Sequence, residues 1–168
     1  MKRIAFAILV CALLLASCGA DKDKVADGTQ TGDTAPAVTQ SGNTKKDMKS
    51  LAAEAVSKIT FSIELEELSA DSAAYLYPGL PEGTECVIYS TGGAGAEELA
   101  VFRTGNVSEL LKVIEDHREA QVAAYASYKP EDADKLENAV TVQNGEYTVF
   151  CVCADYDGVK EMLGELFE

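Results

Sequence analysis

The residue types best suited to bind or transform a ligand lie on one stripe of a predicted helix between residues 106 and 128. The first half of the stripe is apolar, and the second half places Arg118 and Gln121 on the same inward side. An inward arginine needs a carboxylate, because an unpaired buried charge is costly, and Glu97 or Glu98 could supply it. The pattern favours a structural ion pair or polar network, with the floor of a small polar pocket as the alternative. The stripe comprises Val107, Leu110, Leu111, Ile114, Arg118, Gln121, Tyr125 and Tyr128.

The same region supplies the candidate residues of a polar pocket or partner surface. His117 lies at the edge of the stripe, and no arrangement of Ser, Cys or Asp around it indicates general acid–base catalysis. Tyrosines suit contact surfaces, but for Tyr75, Tyr77, Tyr125 and Tyr128 the pattern favours half-buried core positions. We therefore predict no catalytic residue and no cofactor. The candidate set is Glu97, Glu98, His117, Arg118, Gln121, Tyr125 and Tyr128.

Two short motifs and three cysteines receive structural interpretations. Residues 92–95 (GGAG) precede a strand, which favours a flexible hairpin loop over a phosphate site at a helix start. Residues 155–158 (DYDG) lack the remaining ligands of a calcium loop and favour a helix start. Cys86, Cys151 and Cys153 are predicted as small core residues, with a disulfide from Cys86 to either partner as the alternative. The sequence has a single His, and no metal site is predicted.

The N-terminal segment has the layout of a bacterial lipoprotein signal. Two basic residues precede an apolar run over residues 4–15, which as a helix would extend roughly 18 Å and is too short for a hydrocarbon core of about 30 Å. Residues 15–18 (LASC) place small side chains before Cys18, and this resembles the lipobox of bacterial lipoproteins. We predict that residues 1–17 are a signal peptide and that Cys18 carries a lipid. The lipid would anchor the protein to the outer, extracytoplasmic face of the cell membrane.

Charge and composition limit the partners. The chain carries 14 basic and 28 acidic residues, a formal net charge of −14. Loss of residues 1–17 would remove two of the basic residues and leave a net charge of −16. Such a surface repels nucleic acid, so no nucleic-acid partner is predicted. Residues 18–46 are rich in small polar residues and have almost no large apolar side chain, which predicts a lipidated, disordered tether.

Residues 47–168 are predicted to form one α+β domain. Two hairpins, each followed by a helix, give a ββαββα core: a four-stranded antiparallel sheet covered on one face by helices, with N-terminal helices added. A short extended piece is expected at residues 61–65, and Asn144-Gly145 is expected to turn the second hairpin. The predicted strands cover residues 86–89, 98–103, 139–143 and 147–153. The predicted helices cover residues 47–59, 70–76, 106–128, 131–136 and 158–167.

Four short stretches resemble a known family, a domain of unknown function found in small lipoproteins of Gram-positive, mostly anaerobic bacteria. The likeness extends over about residues 47–168 and agrees with the lipobox. It implies an extracytoplasmic α+β domain and assigns no activity. The stretches are residues 95–102 (GAEELAVF), 117–121 (HREAQ), 128–131 (YKPE) and 145–147 (GEY).

These observations lead to three functional hypotheses. The first is a membrane-anchored, non-enzymatic domain that binds a partner protein or a small ligand at the cell envelope. The second is an enzyme, or an enzyme accessory, that acts on envelope material, with a carboxylate and Arg118 or His117 at its site. Convergence of Glu97 or Glu98, Arg118 and His117 in one open cleft would favour this hypothesis. The third is a structural envelope lipoprotein. An exposed tyrosine patch would favour the first hypothesis.

Overall fold

The computed structural model describes residues 46–168. The predicted signal peptide, Cys18 and almost all of the predicted tether lie outside the described residues. Within residues 46–168, no helix has the length and apolar character needed to cross a lipid bilayer. The elements are α1 (Met48–Lys58), β1 (Glu66–Glu67), α2 (Ala70–Leu76), β2 (Glu85–Ser90), β3 (Glu98–Arg103), α3 (Val107–Tyr125), α4 (Pro130–Glu137), β4 (Val140–Asn144), β5 (Tyr147–Val152) and α5 (Tyr156–Leu166).

The sheet confirms the predicted α+β class and adds one strand to the prediction. It has five antiparallel strands in the order β1-β2-β3-β5-β4, and the two predicted hairpins join where β3 pairs with β5. The prediction of four strands is wrong, because β1 pairs with the end of β2 through Glu66 opposite Ser90 and Glu67 opposite Tyr89. The added strand has two exposed glutamates. It therefore carries none of the apolar alternation by which strands are recognised in a sequence.

Helices cover both faces of the sheet, so the prediction of one covered face is wrong. Side chains alternate along a strand, and in β3 Leu99 and Val101 pack with α1 and α5, on what we call the first face. Ala100 and Phe102 pack with α2, α3 and α4, on the second face. β3 and β5 are consequently buried on both sides. An uninterrupted apolar strand is typical of such two-sided burial.

The cysteines follow the same division between faces. Cys151 and Cys153 are buried in the first-face core, whereas Cys86 packs against the second-face core. The three cysteines of the described chain are free thiols. The sheet separates Cys86 from Cys151 and Cys153. The arrangement therefore fits the interpretation of the cysteines as small core residues and not the alternative of a disulfide from Cys86.

The ends of α2 and α3 fix the elements around the candidate residues. Ser69 caps α2 by accepting from the Ser72 N–H at 3.2 Å, and Asn106 caps α3 by accepting from the Glu109 N–H at 3.3 Å. α3 ends at Tyr125, three residues earlier than predicted, and Pro130 then begins α4. This early end lets the chain turn and brings α4 back to the start of β3.

Candidate functional site

Glu97 and Glu98 lie at the start of β3 and are nearly inaccessible to solvent, with 1% and 5% of their surfaces exposed. Buried carboxylates need partners that satisfy their charge. Neighbouring side chains in an extended segment point to opposite sides. Each glutamate accordingly has its own set of partners.

Glu98 faces α2 and α3, where Tyr77 and His117 meet it. The Tyr77 hydroxyl donates to Glu98 Oε1, and His117 Nε2 lies 3.3 Å from Glu98 Oε2. An ionised carboxylate can only accept, so the tautomer of His117 that fits an ionised Glu98 is the one with its proton on Nε2. The imidazole also stacks on the Tyr77 ring, with 4.2 Å between the ring centroids. These contacts hold Glu98, Tyr77 and His117 as one rigid unit, which we call the Glu98 triad.

Arg118 does not reach either glutamate, which corrects the predicted ion pair. Its guanidinium bonds Glu115 on the same helix, with Nε 2.9 Å from Glu115 Oε2. Successive residues of a helix are rotated by about 100°. A predicted stripe that is out of register by one residue therefore places the wrong side chain against the sheet. His117 occupies the inward position that the prediction assigned to Arg118. A neutral imidazole is much less costly to bury than a guanidinium.

Glu97 belongs to a second polar network, with Ser62, Lys135 and Asp132. It accepts from the Ser62 N–H at 2.7 Å and from Lys135 Nζ at 3.1 Å. Asp132 is 1% exposed and lies 3.3 Å from Lys135 Nζ and 2.7 Å from Lys129 Nζ. Lys135 therefore joins two buried carboxylates. Sequence reasoning missed this network, although the i,i+3 spacings of Asp132 from both lysines were a local signal.

Two opposing influences set the pKa of Asp132. Burial acts to raise the pKa of this carboxyl, but the hydrogen bonds from Lys129 and Lys135 outweigh burial and hold the pKa below its usual value. For Lys135, burial acts to lower the pKa, but the hydrogen bonds to Glu97 and Asp132 and the charges of these two carboxylates together outweigh burial and raise the pKa. The charged forms of both residues are therefore favoured in the folded protein.

The glycine-rich β2–β3 loop is anchored by the end of α3 and the start of α4. The Tyr125 hydroxyl donates to the Gly95 carbonyl at 2.8 Å, and Lys129 Nζ donates to the Ala94 carbonyl at 3.0 Å. Gly92 and Gly93 have φ angles of 61° and 90°, which only glycine adopts without strain. These bonds hold the second half of the loop against α3 and α4, and the segment connects β2 to β3 as the predicted hairpin loop.

An open groove lies between α2, α3 and the β2–β3 loop, and we call it the α2–α3 groove. It consists of three adjoining hollows of about 280, 530 and 140 Å³, and Leu76 lines all three. Helix α2 contributes Asp71, Ser72, Tyr75 and Leu76. Helix α3 contributes Val113, Asp116, His117, Ala120, Gln121 and Tyr125. The strand ends and the loop contribute Ser90, Thr91, Gly92, Gly93, Gly95, Ala96, Glu97 and Glu98.

The groove brings together most of the predicted site residues. Those that line it are Glu97, Glu98, His117, Gln121 and Tyr125. Arg118 and Tyr128 do not line any of the three hollows. The contribution of α2 was missed, because no local pattern in Asp71, Ser72 or Tyr75 indicates which helix packs beside α3.

The four tyrosines divide into two buried and two exposed residues. Tyr77 and Tyr125 are buried, whereas 88% of the Tyr75 surface and 66% of the Tyr128 surface are exposed. The predicted half-buried core position is therefore wrong for Tyr75 and Tyr128. Tyr128 stacks loosely on Tyr125, with 5.3 Å between ring centroids. Tyr75 stands over the groove and lines both of its larger hollows.

The pKa of Tyr77 gives a test of the Glu98 triad. Burial, and then the nearby Glu98 charge, raises the pKa of the Tyr77 hydroxyl well above 10. The unfolded chain loses this proton near pH 10 while the folded chain keeps it, so stability is present below pH 10 and is lost above it. Between pH 9 and pH 11 we expect wild type to lose about 1.4 kcal/mol more than Tyr77→Phe. Urea unfolding at both pH values measures this, and parallel pH profiles would contradict the triad.

Metal-ligating groups do not cluster in this region. Among residues 46–168, no three His, Cys, Asp or Glu side chains are placed to hold a metal ion together. The acidic side chains of the groove are instead spread along it.

Comparison with known proteins identifies the family. The family model described as Domain of unknown function (DUF4358) matches residues 64–153, which is more than half of the chain and runs from just before β1 to the end of β5. The match includes every predicted pocket residue and the whole α2–α3 groove, and it leaves α1 and α5 outside. No curated protein and no solved structure matches the chain. The chain belongs to the DUF4358 family of domains of unknown function, which confirms the predicted membership of a domain-of-unknown-function family over residues 64–153.

Proposed function

We propose that this protein is a lipid-anchored, extracytoplasmic lipoprotein whose domain binds a partner protein at the cell envelope through the α2–α3 groove. Residues 1–17 would be the signal peptide, Cys18 the lipid attachment site and residues 18–46 the tether. The observation that carries the binding proposal is the exposed Tyr75 ring above an open groove with a buried polar floor. Tyrosine supplies large contact area with few rotatable bonds.

Rigidity of the groove supports binding. The Glu98 triad fixes its floor, and the Tyr125 and Lys129 bonds fix the loop that forms one wall. A preformed site avoids the entropy cost of ordering when a partner docks. The largest hollow, at about 530 Å³, is large enough to admit several side chains of a partner.

Action as an enzyme or enzyme accessory is the second candidate, and the His117–Glu98 pair beside the groove favours it. Binding is preferred on two grounds. Arg118 bonds Glu115 rather than joining His117, and the Nε2 of His117 faces Glu98 rather than an open position for substrate. A purely structural role is disfavoured by the openness of the groove and the exposure of Tyr75.

Site-specific photocrosslinking in cells tests the binding proposal. A photoreactive phenylalanine analogue is placed at position 75 and, as the matched control, at Tyr156, a 40% exposed tyrosine that begins α5. We expect a discrete crosslinked product from position 75 and none of the same mass from position 156. An identical pattern from both positions, or none from either, would reject the groove as a binding site.

The anchor has its own test in Cys18→Ala. Without the thiol no acyl chain can be attached, and two chains are what makes such anchoring stable. We expect loss of labelling by radioactive palmitate and accumulation of an unprocessed or released form. The control is Cys11→Ala, which removes a cysteine inside the predicted signal peptide and should change neither property. Retained labelling and membrane association of Cys18→Ala would refute the lipid anchor.

A further inference from the structure

We propose that the occupant of the α2–α3 groove is a lysine- or arginine-bearing segment of the partner protein. Its cationic side chains would be held by Asp71 and Asp116 and by the face of Tyr75. This inference rests on the proposed binding function and specifies the chemistry of the partner.

The groove carries negative charge that the protein itself leaves uncompensated. No lysine or arginine of the described chain lines any of its three hollows. Within residues 46–168, neither Asp71 nor Asp116 forms an ion pair. The buried acids differ in this respect, because Lys135 pairs with Glu97, and Tyr77 and His117 hydrogen-bond Glu98.

The two aspartates stand on facing helices with Tyr75 between their hollows. Asp71 and Tyr75 are four residues apart on α2 and therefore lie on one side of that helix, about 6 Å apart. Asp116 lies on α3 beside His117, in a hollow that Tyr75 also lines. A cation over the tyrosine ring gains a cation–π interaction, and the nearby carboxylates add a direct charge attraction.

Apolar side chains between the charges suit the rest of a lysine side chain. Leu76 lines all three hollows. Leu68 lines the hollow of about 530 Å³, and Val113 lines the hollow of about 280 Å³. Lysine and arginine pack their methylene stems along such surfaces while their charged ends reach polar groups.

The spacing of the acids favours an elongated cationic segment. Asp116 lines the hollow of about 280 Å³, and Asp71 lines the hollow of about 530 Å³. Each hollow thus offers one carboxylate to a separate cationic side chain. The net charge of −14 over the whole chain would also speed the approach of a basic partner.

Fluorescence anisotropy with a charge-matched control tests this inference. The intact protein in detergent is titrated with a fluorescein-labelled peptide of alternating lysine and glycine residues. The groove variant is Asp71→Asn/Asp116→Asn, and the control is Asp134→Asn/Glu161→Gln, which removes equal charge from exposed positions outside the groove. We expect the groove variant to bind about fivefold more weakly or worse, and the control to change by less than about twofold. Tyr75→Ala, which keeps the net charge, should also weaken binding by about threefold or more.

Equal weakening in the groove variant and the control would overturn the inference, because it would mean that only net charge attracts the peptide. The photocrosslinking test separates this failure from failure of the proposed function. A partner captured from position 75, together with equal weakening in the two charge variants, removes the cationic occupant and keeps the binding site. Mass spectrometry of the crosslinked peptide adds a second readout, since we expect lysine or arginine beside the crosslink. A crosslinked peptide without basic residues would overturn the inference.

Discussion

Replacing Lys135 with methionine should lower the free energy of unfolding by about 3 kcal/mol. Lys135 is the cation that joins Glu97 and Asp132, both 1% exposed. Methionine keeps much of the apolar stem and removes the charge, so two carboxylates remain buried with fewer partners. Urea unfolding at pH 7 measures the loss.

Lys129→Met is the matched control for this prediction. Lys129 also pairs with Asp132, but its side chain is 30% exposed compared with 19% for Lys135. Its removal leaves Lys135 in contact with Asp132, so we expect a loss of about 1 kcal/mol or less. Equal losses in the two variants would show that Lys135 has no special place in the network.

Glu98→Ala should be similarly destabilising, by about 3 kcal/mol. Alanine leaves the Tyr77 hydroxyl and His117 Nε2 buried without their acceptor, and it also opens a cavity in the second-face core. Chemical denaturation at pH 7 gives the value.

Glu98→Gln separates the hydrogen bonds from the charge. Its amide oxygen can still accept from Tyr77, and its amide nitrogen can donate to the other tautomer of His117. We therefore expect a loss of only about 1 kcal/mol. If glutamine were as destabilising as alanine, the negative charge rather than the hydrogen bonding would hold the triad together.

The elements that could be predicted from the sequence are those determined by residues close together in the chain. The hairpins follow from turn residues and strand composition, and the helix starts follow from Ser69 and Asn106. The second turn is formed by Gly145 and Glu146, one residue later than predicted, because Asn144 ends β4 and bonds the Gly164 carbonyl at 2.7 Å. That contact joins α5 to the hairpin and is not visible in the turn sequence.

Two-sided coverage of the sheet was predictable from the composition of β3. The run Leu99–Phe102 is apolar throughout, and a strand with one wet face would alternate. The extra strand β1 was not predictable, because its two residues, Glu66 and Glu67, are exposed and show no apolar alternation.

The site was predictable as a region and not as a set of contacts. The apolar stripe of α3 fits two helix rotations that differ by one residue, and the choice of His117 over Arg118 depends on what α2 and β3 present to it. The Glu97 network joins Ser62 to Lys135, which are far apart in the chain. Helical periodicity gives no information on such pairings.

The affinity of the captured partner tests the central claim most directly. The partner crosslinked from position 75 is purified, and its Kd is measured for the intact protein, for Tyr75→Ala and for Tyr156→Ala. Binding through the α2–α3 groove predicts that Tyr75→Ala weakens the affinity about tenfold or more, while Tyr156→Ala changes it less than about twofold. Equal affinities for all three proteins would contradict binding through this groove.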